Sequence, residues 1–285
     1  MRKLLSAEFV RLFKSWIFWL CLIFYTGVGI YLVMMRWLDI REHPDLYAEF
    51  DIIYRNADDF IFSGGMFFIF VVAVFIGIFV GTEYSDGTIR NKLAIGHTRS
   101  NIYLSKLIVC ATADIIMYVL YILAVLAFGY LLTDGTTIKA RDILIFTMTG
   151  IAVILALTAL LLLLSMSIQS KAVGSVVTLT TVIVMFFASM MVFEMLSAPE
   201  YFDAYMYMDE TGEIVSEEKE KNPFYLTGTK REIYEFLNDF LPVLQLYQIN
   251  SNTTDNLDII VIYDCILLVV TTGTGIVIFR KKNLK

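Results

Sequence analysis

The apolar residues of this chain fall into six long, nearly uninterrupted blocks, residues 16–35, 61–81, 107–132, 143–168, 172–197 and 257–279, separated by polar stretches. A helix rising about 1.5 Å per residue has to cross roughly 30 Å of hydrocarbon, so each block suffices for one membrane-spanning helix. Residues 155–164 read Leu-Ala-Leu-Thr-Ala-Leu-Leu-Leu-Leu-Leu, whereas a strand of a membrane β-barrel would alternate apolar and polar positions. The pattern therefore predicts an all-α integral membrane protein with six transmembrane helices, forming a single domain over residues 1–285. The first block lies beyond a charged stretch, is longer than a signal-peptide core and is not followed by an Ala-x-Ala-like site, so it is expected to remain as an anchor.

Three polar stretches carry patterns of their own. Leu4, Leu5, Phe9, Leu12, Phe13 and Trp16 recur at helical spacing while Arg2, Lys3, Glu8, Arg11 and Lys14 occupy the remaining face, which predicts an interfacial amphipathic helix over residues 1–15. Within residues 82–106, Ser85 and Asp86 are expected to cap a short helix carrying Ile89, Leu93 and Ile95. Gly96 would end it, and Thr98 or Ser100 would start a helix running into the third span. Residues 198–256 predict a small subdomain before the last helix. It has a hairpin pairing Tyr205–Met208 with Glu213–Ser216, then a helix opened by a capping box at Thr229 to Glu232, carrying Ile233, Phe236, Leu237, Phe240 and Leu241, and stopped by Pro242. The three-residue glycosylation pattern at 252–254 is too short to carry weight.

Composition narrows the class. Of 285 residues, 58% are hydrophobic and 18% charged, with mean hydropathy +0.71, against about half and a quarter in soluble domains. A soluble enzyme is excluded, as is a receptor with a large ectodomain.

The net charge of -6 hides an asymmetry. Arg2, Lys3, Arg11, Lys14, Arg90, Lys92, Arg99, Lys106, Lys171, Arg280, Lys281, Lys282 and Lys285 all fall on the side of the termini, with only Glu8, Glu83 and Asp86 as acids there. In the loops 36–60, 133–142 and 198–256 acids outnumber bases more than two to one. Retention of Lys and Arg on the inner side predicts that both termini are cytoplasmic.

Catalytic chemistry has no foothold. The chain lacks Gly-x-x-x-x-Gly-Lys-Ser/Thr, so it cannot hold nucleotide phosphates in a Walker loop, and it lacks His-Glu-x-x-His. His43 and His97 are assigned to opposite sides of the membrane, and Cys21, Cys110 and Cys265 lie inside apolar blocks, where they read as small buried residues. No catalytic, cofactor-binding or metal-binding residue is expected, and no nucleic-acid partner. Among the acids within the blocks are Asp114, Glu194 and Asp264. Asp114 and Asp264 form a candidate intramembrane polar site, weighed against a simple polar contact inside the bundle. Gly174, Ser175, Thr178, Thr180 and Thr181, and residues 271–275, read as small residues that permit close helix packing.

The loop after the second span reads Glu83-Tyr84-Ser85-Asp86-Gly87-Thr88-Ile89-Arg90, followed by Leu93, Arg99 and Lys106. It resembles the membrane-spanning subunits of type-two ABC exporters, whose corresponding loop carries a Glu, then Gly-Thr, a basic residue and a later Arg and Lys. The interfacial helix before span one, Asp239-Phe240-Leu241-Pro242 before span six and the ending from Gly275 extend the resemblance across nearly the whole chain. Where such permeases often carry Pro before the Arg, this chain has Gly96-His97-Thr98.

The resemblance implies six spans with both ends inside and a multi-pass protein of a bacterial plasma membrane. It also implies pairing with a second permease subunit, and docking of separate cytosolic ATPase subunits through Glu83 to Arg99. Glu83 and Arg90 would make polar contacts at the joint, Gly87 would turn the backbone, Thr88 would cap, and Arg99 would complete the coupling loop. ATP and Mg would belong to the partner, with no cofactor in this chain. Two other readings stand beside it: an ion-coupled transporter using Asp114 and Asp264, and a membrane sensor whose outer loop 198–256 binds a ligand.

Overall fold

The computed structural model describes residues 1–44, 55–202, 206–208, 214–216, 220–251 and 256–282; the pattern at 252–254 and the turn at 209–212 lie outside them. The interfacial segment is helix α1 (Arg2–Lys14), and Ser15 breaks it from α2 (Trp16–Glu42). A short turn, α3 (Asp58–Ile61), precedes α4 (Gly64–Ser85); then follow α5 (Thr88–Ala94), α6 (Arg99–Leu132), α7 (Ala140–Ser167) and α8 (Lys171–Ser197). Strands β1 (Met206–Met208) and β2 (Ile214–Ser216) pair antiparallel with Tyr207 opposite Val215, as the hairpin pattern predicts. Helices α9 (Thr229–Phe240), α10 (Pro242–Asn250) and α11 (Leu257–Lys281) complete the described residues.

Six helices are long and apolar enough to cross a membrane: α2, α3 with α4, α6, α7, α8 and α11. They coincide with the six apolar blocks, but several overrun them. Helix α6 starts eight residues before its block and runs for 34 residues, about 50 Å at the helical rise. Its first two turns therefore project beyond the hydrocarbon.

The most apolar window of the second span is 72% buried, against 44% or less in the other five. This span is the centre of the bundle. Helix α4 packs mainly on α8 and also touches α2 and α7, while α2 packs on α6 and α11 on α7. The outward faces carry exposed apolar residues such as Phe24, Met191 and Val269, which suit a lipid surrounding. Small residues set the close approaches: a Cβ on Gly77 would lie 2.7 Å from Thr178 Oγ1, and Thr178 donates to the Ala73 carbonyl at 3.1 Å. The packing role expected of the small residues in span five holds at this contact.

The end of the bundle away from the termini is tied by loop contacts. Asp58 accepts from the Thr137 amide at 3.1 Å and from the hydroxyls of Thr136 and Thr137, and Arg36 pairs with Asp59 at 3.2 Å.

Pro242 ends α9 and also opens α10, where its missing N–H costs nothing at the first helical position. Helix α9 buries no residue, whereas α10 buries Val243, Leu244, Leu246 and Ile249 and packs among α4, α7 and α8. The expected capping box does not form: Gly228 is the N-cap of α9, Thr229 lies inside the helix, and no side chain caps it.

Candidate coupling site

The loop after the second span starts where α4 runs out of apolar residues. Ser85 and Asp86 do not cap the short helix as expected. Ser85 is the last residue of α4, its hydroxyl bonded back to the Thr82 carbonyl at 2.9 Å, and Asp86 is the C-cap. Gly87, at φ +67°, makes the turn and serves as N-cap of α5, a left-handed conformation that glycine adopts without penalty. Thr88 is the first residue inside α5 and makes no side-chain cap, which corrects its expected role. Gly96, at φ +96°, follows the end of α5, and Thr98 starts α6, its hydroxyl accepting from the Asn101 amide at 3.3 Å. Thus one short helix crosses this end of the bundle, and the second helical piece is the projecting start of α6.

Glu83 is the node of the site. Its Oε1 accepts from Lys92 Nζ at 2.5 Å and from Lys106 Nζ at 2.6 Å, and it also pairs with Arg11. Lys92 and Lys106 both reach Glu8 on α1 as well. Five charged side chains from α1, α4, α5 and α6 therefore form one cluster in which Glu8 and Glu83 are 1% exposed and Lys106 is 0% exposed. Arg11 further donates to the Phe79 carbonyl at 2.7 Å and stacks 3.9 Å above the Phe79 ring.

Burial works against each charge, but the partners decide the outcome at Glu8: burial pushes its carboxyl up, and Lys106 and Lys92 beside it bring it below the usual carboxylate value. Burial lowers the Lys92 ammonium against the opposing pull of Glu8. Such a cluster links helices through shared contacts, so that removing one of its two carboxylates weakens several of them at once.

A second set of contacts joins the same end to the last helix. Arg99 donates to the carbonyls of Phe279, at 3.1 Å, and Lys282, so it satisfies the C-terminus of α11 with a positive charge. Tyr84 Oη donates to the Met166 carbonyl at 2.7 Å, and Lys282 Nζ reaches the same carbonyl at 2.8 Å. Burial pulls the Lys282 ammonium down to about 8.

Of the residues expected at the joint, Glu83 lies in the ion cluster, Gly87 makes the turn and Arg99 binds the end of α11, while Arg90 is exposed and makes no ion pair among the described residues. Arg90, Asn91, Ala94 and Ile95 form an outward strip on and just beyond α5, with Ile95 78% exposed. Glu8, Arg11 and Lys92 were not expected in the site. The pattern put Glu8 on the water-facing side of α1, but it is buried together with Leu4 and Leu12, at the same spacing of four. That spacing was the available signal: an acid in the middle of an apolar stripe.

Asp114 and Asp264 make no hydrogen bond to each other. Asp114 is fully buried and accepts from Thr158 at 2.7 Å, the polar contact weighed for it above. Asp264 is 1% exposed, and neither of its oxygens has a hydrogen-bond partner among the described residues. Glu194 is exposed.

Five apolar spans around a central second one, with one short helix strapped across one end of the bundle, define a multi-pass membrane subunit. The chain belongs to the ABC-2 transporter family: residues 4–189 match the family described as ABC-2 family transporter protein. It is accordingly a membrane permease of an ABC transporter. No curated protein matches the chain.

Proposed function

We propose that this chain is the membrane-spanning half of an ATP-driven exporter, with both termini in the cytoplasm of a bacterial cell and a separate ABC ATPase docked on α5. A second permease, identical or homologous, completes the transporter, and ATP with Mg is held by the ATPase. The single observation that carries this reading is the exposed strip of Arg90, Asn91, Ala94 and Ile95 on a helix whose other side is tied by Lys92 into the buried cluster. Force applied to that strip passes through Glu83 into α4, through Lys106 into α6 and through Glu8 into α1. Rigid elements joined in this way can move between two packings when the motor changes state.

The test is purification of the tagged chain from its native membrane with measurement of co-purifying ATPase activity. Wild type is expected to bring an ATPase, and Arg90→Glu to lose it while remaining folded. Failure of wild type to retain any ATPase under conditions that preserve a control ABC complex would overturn the reading.

The unpartnered carboxyl of Asp264 favours a second reading, ion-coupled transport without a motor. Transport by the purified chain in vesicles without ATP, abolished in Asp264→Asn, would support it over the first.

A further inference from the structure

A cavity of about 240 Å³ opens beside the ion cluster, between α1, the start of α2 and the end of α4, bordered among others by Arg11, Lys14, Ser15, Trp16, Phe79 and Asp86. We propose that it holds the phosphodiester headgroup of an anionic phospholipid. The location of that lipid in the inner leaflet rests on the orientation proposed above.

Charge supports the assignment first. The cavity and the adjoining cluster bring together Arg11, Lys14, Lys92 and Lys106 against Glu8, Glu83 and Asp86, leaving one cation uncompensated. Lys14 is exposed and pairs with no acid among the described residues. Ser15, the N-cap residue of α2, makes no side-chain cap and also borders the cavity. A basic pocket at the membrane surface is suited to a lipid phosphate.

The apolar surroundings favour a lipid over a free anion. Trp16, Leu20 and Phe24 are exposed at successive intervals of four along α2, at 66%, 52% and 61%. They form an apolar stripe leading away from the cavity into the bilayer, along which acyl chains would lie. Trp16, at the rim, has the amphipathic ring typical of the membrane interface.

The experiment uses the full chain, without ATPase, in nanodiscs of phosphatidylcholine with and without phosphatidylglycerol. It reads lipid retained in native mass spectrometry and the thermal unfolding midpoint. Both leaflets are open in a nanodisc, so neither a reversed orientation nor a missing motor affects the result.

Wild type is expected to retain phosphatidylglycerol preferentially and to unfold at a higher temperature with it. Lys14→Gln should weaken this by about fivefold, the worth of one basic contact at a membrane surface. Ser15→Asp should abolish it while leaving the protein folded and at least as stable in phosphatidylcholine, because Asp is a good N-cap and places a negative charge at the cavity. Lys3→Gln, at an exposed base of α1 outside the cavity lining, should change nothing. Equal losses in Lys14→Gln and Lys3→Gln would reveal diffuse surface attraction and overturn the site, as would undiminished binding by Ser15→Asp. Displacement of the lipid by inorganic phosphate would identify a free-anion pocket and overturn the lipid assignment.

Discussion

Two buried carboxyls at different depths of this bundle are treated in opposite ways. Glu83, at the end of α4, is surrounded by Arg11, Lys92 and Lys106, whereas Asp264, within α11, has no hydrogen-bond partner among the described residues. Both are 1% exposed, so burial alone does not separate them. The difference is mechanical: Glu83 ties α4 to α1, α5 and α6 through ion pairs, whereas Asp264 makes no ion pair among the described residues and has the neutral Gln245 of α10 beside it. A charge retained inside a membrane protein marks function by the elements it joins as much as by its own chemistry.

Substitutions sharpen this contrast. Glu83→Ala is expected to have the largest effect, destabilising the protein by about 3–5 kcal/mol because it strands buried cations. Asp264→Asn, at the same exposure, should stay within about 1 kcal/mol of wild type, since no ion pair is lost and Asn can bond the neighbouring Gln245. Reversible unfolding in detergent compares the two directly, and equal losses would remove the distinction.

Glu8→Gln should fall between them, because Glu83 still serves Lys92 and Lys106. The Glu8 carboxyl sits below its ordinary value of 4.5 in the fold, so its contribution is present at neutral pH and fades as pH falls below that value. An unfolding series across that acid range should show a steeper loss in wild type than in Glu8→Gln.

Smaller effects probe the turn and the clasp. Gly87→Ala places a side chain at φ +67° with no steric conflict around it, and should cost about 1 kcal/mol from backbone conformation alone. Lys282 is held down at about 8 against an ordinary value of 10.5. The fold therefore favours its neutral form, and stability should rise slightly as pH increases between those values. Lys282→Met should flatten that rise in the same unfolding assay.

The long elements were legible in the sequence because bilayer thickness sets their length: all six spans fall on the six apolar blocks. The hairpin at β1 and β2 was legible for a similar reason, a local alternation flanking turn residues. What escaped depends on neighbours or on two-sided signals. Pro242 cannot continue a helix from before it, yet it can begin one after it; reading only the stop hid α10.

The turn after the second span falls where the sequence pattern places it, at Gly87 between α4 and α5, and Glu83 lies one helical turn before it. Its partners were hidden because Lys92 and Lys106 reach Glu8 across 84 and 98 positions of chain. A pattern read along α1 assigns a carboxylate to water unless the cations that will surround it are known.

The most direct measurement of the central claim is site-directed cross-linking in native membranes, using chains whose cysteines are replaced and a single cysteine is then introduced. With Ile95→Cys, exposed beyond the end of α5, an ABC ATPase is expected to cross-link. With Leu131→Cys, exposed near the opposite end of α6, it should not. An ATPase captured at Leu131 and absent at Ile95, or captured at neither position while a control complex cross-links normally, would contradict the account.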